Sequence, residues 1–160
     1  MHIQIFTTGG TIDKDYFDAQ SEYEVGHPMV ESILPRMLVH CDYNVTPLMR
    51  KDSLQLTDDD RELIHQAVKK NEATQVLITH GTDTMVHTGQ VLKAITDKTI
   101  VLTGALKPAR FQESDAVFNL GFALGAVQSL PHGVYVCMNG QVFPVDEVRK
   151  NRAAGKFEKA

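Results

Sequence analysis

The stretch His2-Ile3-Gln4-Ile5-Phe6-Thr7-Thr8-Gly9-Gly10-Thr11-Ile12-Asp13 decides how the rest of the chain is read. Its first half alternates apolar and polar residues at the two-residue period of a strand. Its second half empties that strand into Gly9-Gly10, where glycine reaches backbone angles other residues avoid. Thr11 then sits just past a strand's carboxyl end. In open α/β sheets that edge is where ligands bind. A hydroxyl there is a candidate nucleophile if a base and an oxyanion site accompany it. The same residues also make sense as a tight turn whose hydroxyls cap backbone groups.

A second stretch repeats the design. Gln75-Val76-Leu77-Ile78-Thr79 is an apolar run, and His80-Gly81-Thr82-Asp83-Thr84-Met85 follows it directly. If the two strands are parallel neighbours, Thr11 and Thr82-Asp83 meet at one sheet edge. Further strands are predicted from Cys41 to Met49, over Thr99-Ile100-Val101-Leu102-Thr103, and over Gly133–Met138. Asn139-Gly140 before Gln141-Val142-Phe143 predicts a hairpin.

Helical patterns fall between the strands. A short one begins near Pro28. A second starts at Thr57, with Asp58-Asp59-Asp60 at the positive end of its dipole, Leu63, Ile64, Ala67 and Val68 facing inward, and Asn71 as its stop. A third begins near Thr84 and a fourth near Ser114 or Asp115. Strands and helices alternate, which predicts a three-layer α/β domain of flavodoxin or Rossmann type, with a mostly parallel sheet and a closing β-hairpin. Two stretches show no such period. Lys14 to Gly26 reads as a long binding loop or lid, with Tyr16-Phe17 and Tyr23 to dock it. Arg149 to Ala160 reads as a polar, basic tail.

The 160 residues, 42% hydrophobic and 22% charged, suit one globular domain with a net charge of -4. No basic block occurs, which argues against a nucleic-acid partner. Cys41 and Cys137 lack metal spacing and read as thiols in a reducing compartment, not as a disulfide. No signal peptide or long apolar span is present, so no membrane is expected and cytoplasm is the predicted location.

Thr8-Gly9-Gly10-Thr11-Ile12 and His80-Gly81-Thr82-Asp83-Thr84-Met85 resemble the two signatures of the bacterial-type L-asparaginase family. The likeness extends over roughly residues 1 to 152. It implies that Thr11 is the nucleophile and Tyr23 the loop tyrosine that assists it. It implies that Thr82, Lys150 and Asp83 form a threonine–lysine–aspartate triad, because Met138-Asn139 and Asp146-Glu147-Val148-Arg149-Lys150 match the family's Met-Asn and Asp-Val-x-Lys segments. Ser53 matches the serine that holds the substrate's α-carboxylate, although Leu54 stands where the family usually has Gln. Ala105 matches a backbone contact to the substrate amide. Gly10, Ser53, Thr82, Asp83 and Ala105 are thus the implied substrate-binding residues, with Asp83 receiving the α-ammonium.

Several of these residues have plainer readings in isolation. Lys150 would be a solvated tail lysine, Ser53 the end of a strand, and His80 a locally hydrogen-bonded packing residue. Their joint match to one constellation argues for the resemblance. It implies an amidohydrolase that cleaves L-asparagine, and by extension glutamine or other short amides, with no cofactor or metal. It also implies a homo-oligomer, dimer or tetramer. The reading takes residues 1–160 as a single domain without the family's second, C-terminal domain. Two rivals stand beside it: a non-catalytic module that binds aspartate or asparagine, and an amidotransferase-type subunit that passes ammonia to a partner.

Overall fold

Ile3, Ile5 and Thr7 on one side of the first strand, and Gln4, Phe6 and Thr8 on the other, are all buried. A strand buried on both faces belongs inside a sheet with helices above and below. The structure is a computed structural model that describes residues 1–17 and 22–160, leaving aside the side chains of Phe17 and Glu22. In it β1 (His2–Gly9) runs parallel between β4 (Asp42–Lys51) and β5 (Gln75–Thr79). Next come β6 (Thr99–Thr103) and β7 (Gly133–Met138), also parallel, and then the antiparallel β8 (Gln141–Pro144). The order β4-β1-β5-β6-β7-β8 puts a topological switch point between β1 and β5. The chain leaves β1 toward one side of the sheet and returns to continue on the other.

Two helix layers cover the sheet. Helices α1 (Val30–Arg36) and α4 (Ala116–Ser129) pack on Ile3, Ile5, Leu77, Val101 and Cys137. Helices α2 (Asp58–Lys70) and α3 (Met85–Leu92) pack on Phe6, Val76, Ile78, Ile100 and Leu102. The start of α2 is a full capping box. Thr57 accepts from the Asp60 N–H while the Asp60 carboxylate accepts from the Thr57 N–H. Ile64 and Val68 are wholly buried from its inner face, each contributing about 1.5–3 kcal/mol. Asn139 and Gly140 turn β7 into β8 with φ of 49° and 84°, the backbone a two-residue hairpin demands.

Three expectations are corrected. Lys14 to Gly26 is not simply a loop: β2 (Lys14–Phe17) and β3 (Glu22–Val25) pair antiparallel, and the part of that reading covering 18–21 lies outside the described residues. Arg149 to Ala160 is not a tail. Strands β9 (Val148–Asn151) and β10 (Lys156–Lys159) form another hairpin, anchored in the core by Val148 and Phe157. Leu63 faces outward, 47% exposed, while Arg61, earlier on α2, is buried. No helix among the described residues is long and apolar enough to cross a membrane. Both cysteines are free thiols, Cys137 buried and Cys41 half-buried.

Candidate active site

The loops leaving β1, β4, β5 and β6 are packed against one another by contacts that need missing side chains. Gly10 has φ +87°, and a Cβ on it would stand 2.5 Å from Cα and N of Gly81. The two glycine turns therefore touch backbone to backbone. A Cβ on Gly81 would stand 2.5 Å from Ser53 Cβ and 2.6 Å from its Oγ. Thr84 stitches the same junction: its hydroxyl donates to the Ser53 carbonyl at 2.8 Å and its N–H to Ser53 Oγ at 3.3 Å. On the other side Gly104 lies against the His80 carbonyl, and the His80 N–H donates to the Thr103 carbonyl at 2.9 Å. Ala105 follows, buried.

Thr11 opens a single 3-10 turn, Thr11–Asp13, directly after Gly10, and is half-buried. Lys150 arrives from β9. Its Nζ donates to Thr82 Oγ1 at 2.6 Å and to Asp83 Oδ1 at 2.8 Å. The lysine side chain is only 14% exposed, so a residue the sequence placed in a tail is held inside the site. Arg152 Nε lies 3.4 Å from the same Asp83 oxygen, a contact the sequence reading missed.

Tyr23 stands on β3, half-exposed, with Tyr16 at 5.6 Å and Phe111 at 5.8 Å between ring centroids. With Lys14, Glu24, Arg50, Asp52 and Gln55 it lines a cavity of about 520 Å³ beside the β4 exit. Of the catalytic and substrate-binding residues read from the sequence, Tyr23 alone lines that cavity, and Leu54, which stands where the family usually has Gln, lines it too. Ser53 sits behind it, buried, between Asp52 and Leu54.

His80 is no base for this site. Its Nδ1 lies 2.7 Å from the Gly81 carbonyl, which can only accept, so Nδ1 carries the proton. Nε2 then accepts from the Thr88 hydroxyl at 2.8 Å. Burial pushes the ring down to about 4, and Arg61 adds to the shift, so it stays neutral. Asp13 is the opposite case. Burial pushes its carboxyl up to about 7 against the Met29 N–H and Arg50. For Asp52 burial works upward, but the Leu54 N–H and the Lys14 ammonium hold it below the usual carboxylate range. Among the described residues no group of three or more His, Cys, Asp or Glu could hold a metal ion.

Residues 2–157 match the family model described as asparaginase, N-terminal. The chain belongs to the asparaginase family. This asparaginase-family domain is 31% identical to a glutaminase-asparaginase of Acinetobacter glutaminasificans, over 93% of the chain and 49% of that relative. It is 28% identical to a component of the glutamyl-tRNA(Gln) amidotransferase of Methanococcus vannielii, over 88% of the chain and 35% of that protein. In three dimensions it is similar to the thermostable L-asparaginase of Thermococcus kodakarensis, with a TM-score of 0.86 and 25% identity over 99% of this chain and 51% of the other. It thus spans about half the length of the asparaginases it matches.

Two groups around the asparaginase-like loops escaped the sequence reading. Asp115 reads in the sequence as a possible helix cap. Instead its carboxylate accepts from the N–H groups of Leu106 and Lys107 at 3.0–3.1 Å, from Asn119 at 2.8 Å and from Asn139 at 3.0 Å. Burial works upward on it, but these donors hold it below the usual range. Asp115 does occupy the N-cap position of α4, but its side chain makes no capping bond; Ser114 Oγ, one residue earlier, accepts from the Ala116 N–H. Phe111, in the β6–α4 loop, meets Tyr23 edge-on. A Ser-Asp pair before a helix is the only local signal for the first group, and it points to capping. No periodic signal marks the second.

Proposed function

We propose that this domain hydrolyses the side-chain amide of L-asparagine, with glutamine and other short amides as further substrates. The observation that carries the reading is the Lys150 ammonium bound to both Thr82 and Asp83 at the edge where the Thr11 turn lies. Thr11 Oγ attacks the amide carbon and its proton passes to the leaving nitrogen. The C–N bond breaks, ammonia departs, and an acyl ester forms on Thr11. Tyr23 assists that attack from its hairpin. The departing ammonia takes a proton from Lys150 and leaves as ammonium, and Lys150 then takes one from water through Thr82. The hydroxide equivalent opens the ester, and the new carboxyl group passes its proton to the leaving Thr11 oxygen, giving aspartate and the free threonine. Backbone N–H groups of the glycine turns receive the developing oxyanion. Gly10, Ser53, Asp83 and Ala105 hold the substrate, and no metal or cofactor takes part. A cytoplasmic homo-oligomer, dimer or tetramer, goes with this reading, and light scattering on the purified chain checks the assembly.

The test is ammonia release from asparagine, glutamine and succinamic acid by the parent chain and by Thr11→Val. Ammonia from the parent and none above background from the variant is expected. A parent that releases none, or a variant that keeps near-normal turnover, sinks the reading. The relatives named as components of glutamyl-tRNA(Gln) amidotransferases support a second reading, in which the ammonia is passed to a partner protein. In that case the yield rises only when the partner is added.

A further inference from the structure

We propose that Arg110 and Phe111, on the loop between β6 and α4, latch the β2–β3 hairpin against the sheet edge and act as positioning residues for Tyr23. The catalytic part of this proposal rests on the function proposed above. A lone two-stranded hairpin is marginal in water, and each strand here has only four residues. Tyr16 and Tyr23 face each other across it, both about half-exposed. Near the sheet, the Gly26 N–H donates to the Asp13 carbonyl at 2.8 Å and Lys14 pairs with Asp52 at 3.1 Å. The middle of the hairpin is held by the β6–α4 loop. Phe111 meets the Tyr23 ring at 5.8 Å and 68°, an edge-to-face contact. Arg110 Nε pairs with Asp15 Oδ1 at 3.1 Å, one residue from Tyr16.

The loop that offers these two side chains is itself braced. Asp115 gathers the Leu106 and Lys107 N–H groups, and Ser114 Oγ donates to the Lys107 carbonyl at 2.8 Å. The Phe111 N–H donates to the Pro108 carbonyl at 2.9 Å. The Ala109 N–H donates to the Ile12 carbonyl at 3.1 Å, tying the loop to the Thr11 turn itself. One rigid segment therefore touches both the turn that carries the proposed nucleophile and the hairpin that carries the tyrosine. That geometry sets the distance between them, and a displacement of about 1 Å costs roughly a hundredfold in rate.

The test uses the full chain with Phe111→Ala, Arg110→Ala and the double variant. Amide hydrogen exchange is read over 14–17 and 22–25, alongside kcat and KM for asparagine. The expected result is at least about tenfold faster exchange in the hairpin, with β5 and β6 amides unchanged. With it, kcat falls about ten- to a hundredfold and KM changes less. Phe111→Tyr, which keeps the ring, restores both. In a Tyr23→Phe background, Phe111→Ala adds little further loss of kcat. Unchanged hairpin exchange in the double variant overturns the latch. Faster exchange with unchanged kcat, or losses that simply add in the Tyr23→Phe background, overturns its positioning role. A parent chain that releases no ammonia defeats the functional reading instead, and the exchange measurement still decides the latch.

Discussion

Lys150 makes two short polar contacts from a nearly closed position, at 2.6 Å to Thr82 and 2.8 Å to Asp83. A lysine so placed either performs chemistry or balances the Asp83 charge, and Lys150→Met separates the two. Methionine keeps most of the stem and removes the nitrogen. If Lys150 is the general base, kcat for asparagine falls about a hundred- to ten-thousand-fold, while aspartate binding by calorimetry changes much less. Equal losses of rate and binding would make Lys150 only a counter-ion. Arg152 is the natural comparison, since it touches the same carboxylate but stands largely in solvent. Exposed ion pairs contribute little, about 0–1 kcal/mol, so Arg152→Ala should leave stability nearly unchanged.

At the scale of elements, one substitution should have opposite signs at two glycines. Gly10→Ala places a Cβ 2.5 Å from the Gly81 backbone at φ +87°. The backbone conformation costs about 1–3 kcal/mol, and overpacking costs about 1–3 kcal/mol more. Gly121 lies inside α4, and a Cβ there meets nothing within 4 Å. Gly121→Ala should therefore stabilise the chain by about 0.5–1 kcal/mol, because glycine inside a helix carries an entropic penalty. Urea unfolding of both variants checks the pair. A Gly10→Ala variant as stable as the parent would mean that the two signature loops are not in backbone contact. The glycine turns were legible locally, since a strand followed by paired glycines announces a turn. Their mutual contact was not, because no local period encodes which turn meets which.

For the whole molecule, two buried titrating groups oppose each other. His80, pushed down to about 4, binds fewer protons folded than unfolded between about 4 and 6.5, so stability is lost as pH falls through that window. Asp13, pushed up to about 7, binds more protons folded than unfolded between about 4 and 7, so its cost grows as pH rises. Asp13→Asn keeps an oxygen for the Met29 N–H, which now donates to Asp13 Oδ1 at 2.8 Å, and removes the charge. The variant should be more stable than the parent above pH 7. The gap should close toward pH 4, and the loss on acidification below 6.5 should steepen with His80 unopposed. Denaturant unfolding at pH 5, 6 and 8 measures this. A stability difference independent of pH would show that Asp13 does not titrate as its burial implies.

By itself the sequence determined the alternation of strands and helices, the two glycine turns at the sheet edge, the Thr57 cap and the Asn139-Gly140 hairpin. Each is written in neighbouring residues through period, propensity or turn chemistry. The resemblance named Lys150, but nothing near it in the chain says that it is buried. Tertiary structure alone decided that. Val148 and Phe157 anchor β9 and β10 in the core, and two apolar residues among charged ones make no readable period. The β2–β3 hairpin is another such case, since its aromatic residues find Phe111 on a distant loop. Asp115 looked like a cap because Ser-Asp before a helix usually caps. It turned instead toward Leu106, Lys107 and Asn139, donors that only the folded sheet edge places around it. Local sequence specifies which backbone each segment adopts. Which polar groups then meet depends on where separate loops come to rest on the sheet.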